Sequence, residues 1–69
     1  MEIPKIGSLW THKSGSIYKV QMITNESSTK DSYPITVVYI ALNTSRKVWS
    51  RPLSDWHRSM VMSRGIIDG

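Results

Sequence analysis

The order of hydrophobic and polar positions along the chain predicts short β-strands separated by turns. In residues 17–24 the apolar side chains Tyr18, Val20 and Met22 alternate with polar ones. A period of two is typical of a strand with one buried face, so these three side chains are expected to point inward. A shorter strand is predicted at residues 9–12. The residues between the two strands have the composition of a turn in which Gly15 can take a positive φ.

Residues 35–42 give the strongest strand prediction, because they are almost wholly β-branched or aromatic. One face of this strand carries Ile35, Val37, Tyr39 and Ala41, and the other carries Thr36, Val38, Ile40 and Leu42. Both faces are apolar, so the strand is either covered on both sides or presents one face to a partner. We favour a central position in a small barrel. The preceding polar loop, Asn25 to Pro34, is long for a hairpin connection.

The last third of the chain predicts a short strand, a helical turn and another short strand. Residues 47–51 form the first strand, which ends at Pro52 because proline has no N–H for a sheet ladder. One or two helical turns follow at residues 54–59, with Ser54 as the N-cap. Val61 and Met62 add the last strand, before an unpatterned tail.

These elements predict an all-β fold, a small SH3-like barrel of about five antiparallel strands with one short helical turn at residues 54–59. One domain spans residues 1–63, and residues 64–69 are expected to form a frayed tail. Since the 69-residue chain has no cysteine, apolar packing is expected to stabilise it without disulfides. The predicted core consists of Leu9, Tyr18, Val20, Met22, Val38, Ile40, Leu42, Val48, Leu53, Trp56 and Met60.

The chain resembles a known family at two stretches. Residues 10–20 read WTHKSGSIYKV, similar to the HYKG-x-x-Y-x-V opening of the small bacterial and phage proteins grouped as domain of unknown function 1653. Residues 38–39 and 48–56 read VY and VWSRPLSDW, similar to the family's VVYR and WVRPLxxF segments. The departures are Ser14, which is inserted, Ile40 in place of a basic residue, Trp56 in place of phenylalanine, and the polar loop.

This resemblance covers residues 7–60 and is most specific at Trp49-x-Arg51-Pro52-Leu53-x-x-Trp56. It implies a compact SH3-like barrel without a settled activity. It also implies a phage origin, since short basic single-domain proteins of this kind are frequent among phage and prophage genes.

The polar residues do not form a catalytic or metal-binding pattern. Asp55 and His57 are two positions apart, which on a helix points them to different faces. His12 and His57 are the only histidines, too few for a zinc site in a chain without cysteine. We therefore expect no enzyme activity, no metal and no cofactor.

The net charge of +4 permits an acidic or nucleic-acid partner. Residues 35–69 hold most of this excess, and the basic side chains near Trp49 suggest a patch on which a base can stack. The residues of this predicted patch are Arg46, Lys47, Trp49, Arg51 and Arg58. The simpler interpretation is that these cations are solvated and that Arg51 fixes the strand-to-helix corner through carbonyls or an indole ring.

A second predicted site is an aromatic groove for a peptide, lined by Trp10, Tyr39 and Trp49. Trp49 is expected to be more exposed than Trp56, because Lys47 and Arg51 share its face of the strand. The aromatic residues can equally belong to the core, since the chain has no phenylalanine.

We expect a non-enzymatic interaction module, a phage or prophage accessory protein that binds a host or phage protein. A nucleic-acid-binding barrel is the alternative, and the oligomeric state stays open between a monomer and a weak dimer. The longest apolar run, Val37 to Leu42, is far short of the roughly 20 residues of a membrane helix. The protein is therefore expected in the cytoplasm, that of the bacterial host if a phage encodes it, and not in a membrane.

Overall fold

The computed structural model is an antiparallel sheet with one short helix. It describes the backbone of residues 2–43 and 45–66 and the side chains of residues 2–43 and 45–62. The elements in chain order are β1 (Ser8–His12), β2 (Ile17–Thr24), β3 (Thr36–Ala41), β4 (Val48–Pro52), α1 (Leu53–Ser59) and β5 (Met60–Ile66). Their order across the sheet is β4-β3-β2-β1-β5, so β4 and β5 are the two ends of an open sheet. The predicted all-β class, the five strands and the short helix are confirmed.

The helix begins one residue earlier than predicted, and the predicted N-cap is wrong. Pro52 occupies the cap position with φ −58°, and no side chain caps the helix. The Leu53 N–H instead donates to the Ile35 carbonyl oxygen at 2.8 Å, so the residue just before β3 satisfies one of the donors that a helix start leaves free. Ser54 is therefore the second residue of α1 and is exposed.

A β-bulge in β2 changes which side chains face the core. Val20 pairs with Tyr39 and Met22 pairs with Val38, so Gln21 is an extra residue without an opposite partner. One extra residue reverses the alternation that follows it. Met22 consequently points away from the core and is 51% exposed, and its predicted core position is wrong.

β3 buries the face that was not assigned to the core. Val37, Tyr39 and Ala41 are at most 5% exposed. Val38, Ile40 and Leu42 are only partly buried and lie outside the core cluster, so their predicted core positions are wrong. The pattern did not decide between the faces because both are apolar.

The register of the sheet places two further predicted core residues on that second face. Val48 pairs with Ile40 and is 61% exposed, and Leu9 pairs with Lys19 on the side opposite to Trp10. Both predictions are wrong for the same reason, which is that residues paired across strands share a face.

The core lies between the sheet and α1. Its buried members are Trp10, Val20, Val37, Tyr39, Leu53, Trp56 and Met60. The predictions for Val20, Leu53, Trp56 and Met60 are confirmed, and Tyr18 is partly buried against the cluster. Trp56 is its centre, since its ring meets those of Trp10 and Tyr39 edge-on at centroid distances of 5.4 and 4.9 Å.

The N-terminal segment is held against the core side of the molecule. Buried Ser8 donates through its hydroxyl to the Lys5 carbonyl oxygen at 2.5 Å, and Trp10 Nε1 donates to the same hydroxyl at 2.9 Å. The ring of His57 approaches the Glu2 carbonyl oxygen at 2.6 Å through Nε2. These contacts connect residues before β1 to both the sheet and the helix.

β5 is longer than the predicted last strand. It pairs with β1 from Met60, opposite His12, to Ile66, opposite Ser8. Residues 64–66, which the sequence assigned to the tail, therefore belong to a strand. Residues 67–69 of that tail lie outside the described residues, as does Thr44 between β3 and β4. Gly15 takes the positive φ expected of it, at 95°.

Candidate interaction surfaces

The predicted aromatic groove is not an accessible surface. Trp10 and Tyr39 are each 5% exposed and pack in the core, so their prediction as groove-lining residues is wrong. In a chain without phenylalanine these large rings are needed to fill the space between sheet and helix. The groove therefore loses two of its three members.

Trp49 is the aromatic residue that remains accessible on this side of the sheet. Trp49 pairs with Tyr39 on the neighbouring strand. The ring of Trp56 packs on Tyr39, but Trp49 lies one strand closer to the edge of the sheet and is 52% exposed. Trp56 is fully buried, so the prediction that Trp49 is more exposed than Trp56 is confirmed.

Arg51 is engaged within the protein. One of its guanidinium nitrogens, Nη1, donates to the Ser59 hydroxyl at 2.8 Å, and Nε lies 4.0 Å from an Asp55 carboxylate oxygen. The guanidinium carbon is 5.9 Å from the centroid of the Tyr39 ring. Arg51 thus connects the strand to the helix, through a hydroxyl, a carboxylate and a phenol ring rather than through carbonyls or an indole.

Arg58 also has an acidic neighbour. Its Nη1 lies 3.6 Å from the same Asp55 carboxylate, in an ion pair whose two side chains are largely or half exposed. Such exposed pairs contribute little to stability. Arg58 remains accessible, but on α1 rather than on β4.

The accessible members of the predicted patch that lie on or next to β4 are Arg46, Lys47 and Trp49, which we call the β4 patch. All three are exposed, and Arg46 adopts a positive φ of 55° just before the strand. Lys47 and Trp49 are two residues apart and so point to the same side. This small surface combines two cations with one indole ring.

A second and larger surface is the sheet face opposite the core, which we call the outer face. Strand register assigns to it the apolar residues Leu9, Ile17, Met22, Val38, Ile40, Leu42, Val48 and Val61. Met22, Val48 and Val61 are 51%, 61% and 70% exposed. Antiparallel sheets that face water are normally polar on the wet side. No described helix or strand packs over this face, because α1 lies on the core side.

Lys19 is at the centre of the outer face. It lies in β2, the middle strand of the sheet, and pairs with Leu9 on one side and Ile40 on the other. Its side chain is partly buried among apolar neighbours. Among the described side chains, Lys19 is thus the central positive charge of an apolar outer face. The signal for this face in the sequence was the second apolar face of residues 35–42.

Two of the concavities in the described part of the structure have no histidine in their lining. One, of about 400 Å³, lies between the polar loop and the start of α1 and includes Lys30, Asp31 and Tyr33. The other, of about 380 Å³, lies between residues 2–5 and Trp10. Within the described ranges no three His, Asp or Glu side chains are placed to share a metal ion. No helix there is long and apolar enough to cross a membrane.

The fold and its two accessible surfaces define a small all-β protein built on one open antiparallel sheet. The family model described as "Protein of unknown function (DUF1653)" matches residues 8–66, from the first residue of β1 to the last residue of β5. The chain belongs to this family, which confirms the resemblance found in its motifs. No curated protein and no solved structure matches the chain.

Proposed function

We propose that the protein is a non-enzymatic interaction module that binds a protein partner through its outer face. The observation that carries the proposal is the apolar character of a sheet face that no described helix or strand covers. Extended apolar surface of this kind marks interaction sites in soluble proteins. Burial of the half-exposed Met22, Val48 and Val61 would contribute about 1 kcal/mol each.

The described histidines support a role without catalysis. His12 Nδ1 lies 2.9 Å from the Ser14 hydroxyl, and His57 Nε2 bonds the Glu2 carbonyl oxygen. Both rings thus hold neighbouring parts of the chain, one in the β1–β2 turn and one at the N-terminal segment. No described hydrogen bond joins either ring to a carboxylate, the third group that orients the base in a catalytic arrangement.

The charge of Lys19 specifies the chemistry of the partner. A partner surface that buries the outer face must supply a carboxylate opposite Lys19, since an unpaired buried ammonium group is costly. A second copy of the chain would instead bring another Lys19 into the same interface. The outer face is therefore proposed to bind a different protein, one whose surface is apolar and carries an acidic side chain.

The proposed biological setting follows the motif resemblance. It is that of a small accessory protein of a phage or prophage, which acts in the cytoplasm of the bacterial host on a host or phage protein. The basic balance of the chain, +4 overall, is consistent with a partner that is acidic at the contact.

The proposal is tested with two lysine substitutions matched in exposure. Partners captured from the bacterial host by the wild-type protein are purified and titrated calorimetrically against wild type, Met22→Lys and Ile6→Lys. Met22 is 51% exposed on the outer face, and Ile6 is 60% exposed in the N-terminal segment. Met22→Lys is expected to weaken binding at least about tenfold, because it buries a second charge. Ile6→Lys should stay within about twofold of wild type.

Two results would contradict the outer-face proposal. Equal affinity of wild type and Met22→Lys would place the contact elsewhere on the protein. A wild-type dimer in sedimentation that Met22→Lys converts to a monomer would make a second copy the occupant of the outer face.

Nucleic-acid binding is the second candidate function, and the exposed indole of Trp49 favours it. Trp49 lies beside Lys47 and near Arg46, and bases of a single strand stack on such rings. The patch is small, however, because Arg51 is held by Ser59 and Asp55.

This alternative predicts a measurable response of Trp49 to an oligonucleotide. Since Trp10 and Trp56 are buried, a change in fluorescence on addition of oligo-dT at low salt reports Trp49. Two cationic contacts, from Arg46 and Lys47, predict a slope of about −1.4 for log K against log salt concentration on a single strand. Unchanged fluorescence with single- and double-stranded DNA and RNA at low salt would exclude the alternative.

A further inference from the structure

The open edge of β4 carries main-chain hydrogen-bonding groups that point away from the sheet. The Ala41 N–H donates to the Lys47 carbonyl at 3.2 Å, and the Leu53 N–H donates to the Ile35 carbonyl at 2.8 Å. In an antiparallel pair, residues bonded to the partner strand alternate with residues that are not. Trp49 and Arg51 therefore face β3 with their main-chain groups, while those of Val48 and Ser50 point to the open edge.

This edge is accessible over its length. β4 is the last strand in the sheet order, and Val48, Trp49, Ser50 and Pro52 are all exposed. Pro52 sets the limit at one end because it offers no N–H. The remaining edge presents the N–H and C=O groups of Val48 and Ser50, which is the arrangement that extended peptides use when they add to a sheet.

The charges along the edge select the segment that can pair with it. Arg46 and Lys47 are exposed at its start, and Asp55, which follows β4 along the chain, already lies between Arg51 and Arg58. Pairing with a second β4 about Trp49 would set Lys47 of each copy opposite Arg51 of the other, and like charges in that position are destabilising. An acidic strand is favoured over a second copy.

We infer that β4 accepts an extended segment of a protein partner as a sixth strand, and that this segment alternates apolar and acidic residues. Its apolar side chains extend the outer face beside Val48, and its acidic side chains lie on the other side, beside Lys47 and Trp49. The inference rests on the proposed function, because it names the part of the partner that pairs with the sheet edge.

The test uses a short synthetic peptide that alternates valine and glutamate, with a valine–lysine peptide as its charge control. The protein variants are Ser50→Pro, which removes an outward N–H, and Ser50→Ala, which retains it. Proline is tolerated where the N–H faces away from the sheet. The valine–glutamate peptide is expected to slow hydrogen exchange at the Val48 and Ser50 amides of the wild-type protein in NMR.

The expected affinities follow from the same geometry. The affinity for the valine–glutamate peptide should be at least about fivefold lower in Ser50→Pro than in Ser50→Ala, and the valine–lysine peptide should not bind. The inference is overturned if the valine–glutamate peptide does not bind, if the two Ser50 variants bind it equally, or if the Val48 and Ser50 amides are unaffected. Each of these results leaves the Met22→Lys comparison standing, so that failure of the edge and failure of the outer face are told apart.

Discussion

Replacement of Trp56 with alanine is expected to unfold the protein at room temperature. Trp56 is fully buried at the meeting point of sheet and helix, where its ring packs on Trp10 and Tyr39. Loss of a buried tryptophan destabilises a domain by about 3–5 kcal/mol. The whole free energy of unfolding of a domain of this size is little larger than that loss. Circular dichroism during guanidinium titration is the measurement, and no native baseline is expected.

Trp49→Ala is the matched control for this prediction. Trp49 is the same residue type in the same domain but is 52% exposed, so its removal should change the free energy of unfolding by less than about 1 kcal/mol. A cooperative transition of Trp56→Ala near the wild-type midpoint would contradict the assignment of Trp56 as the centre of the core.

Trp56→Phe separates the packing of this side chain from its hydrogen bonding. The buried Nε1 of Trp56 has no hydrogen-bond partner within the described part of the chain. Phenylalanine therefore loses volume but no hydrogen bond, and the variant should fold, at a cost well below that of alanine. This also explains why the related motif can carry phenylalanine at the position of Trp56.

Ser8→Ala is expected to cost about 1–3 kcal/mol, although it removes a single oxygen atom. The Ser8 hydroxyl is 1% exposed, accepts the N–H of Trp10 and donates to the Lys5 carbonyl. Its loss leaves a buried indole N–H unpaired and loosens the contact of the N-terminal segment. Urea unfolding monitored by tryptophan fluorescence measures the difference.

Ser50→Ala is the control for Ser8→Ala, because Ser50 is exposed on β4. It should change the free energy of unfolding by no more than about 0.5 kcal/mol. Equal stabilities of the two variants would show that the Ser8 hydroxyl does not connect the N-terminal segment to the sheet in solution.

The sequence predicted the elements well because strong local signals defined them. The β-branched run predicted β3, Gly15 predicted the turn between β1 and β2, and Pro52 predicted the end of β4. The short helix was predicted from the residues after Pro52. Core positions next to the helix, such as Leu53, Trp56 and Met60, were also predicted correctly. These side chains lie where only one face of an element is apolar.

The facing of the strands was predicted less well, and two particular residues show why. Gln21 forms a bulge that no feature of the composition marks. The bulge interrupts the alternation after Val20, so Met22, which the alternation placed inward, points outward. Tyr39 lies on one of two apolar faces, and periodicity alone does not rank them. Trp10 and Tyr39 were consequently assigned to a groove, while the outer face was assigned to the core.

The doubly apolar β3 also affects how the chain reaches this fold. A strand of this kind loses little apolar burial when it pairs one residue out of register, because Val38 and Ile40 then occupy the inner face. The native pairing is distinguished by the Tyr39 ring, which lies 4.9 Å from the rings of both Tyr18 and Trp56. No aliphatic side chain makes these edge-on contacts. The strand that carries part of the proposed binding surface thus gives the folding chain a competing alignment, and the Tyr39 aromatic contacts disfavour that alignment.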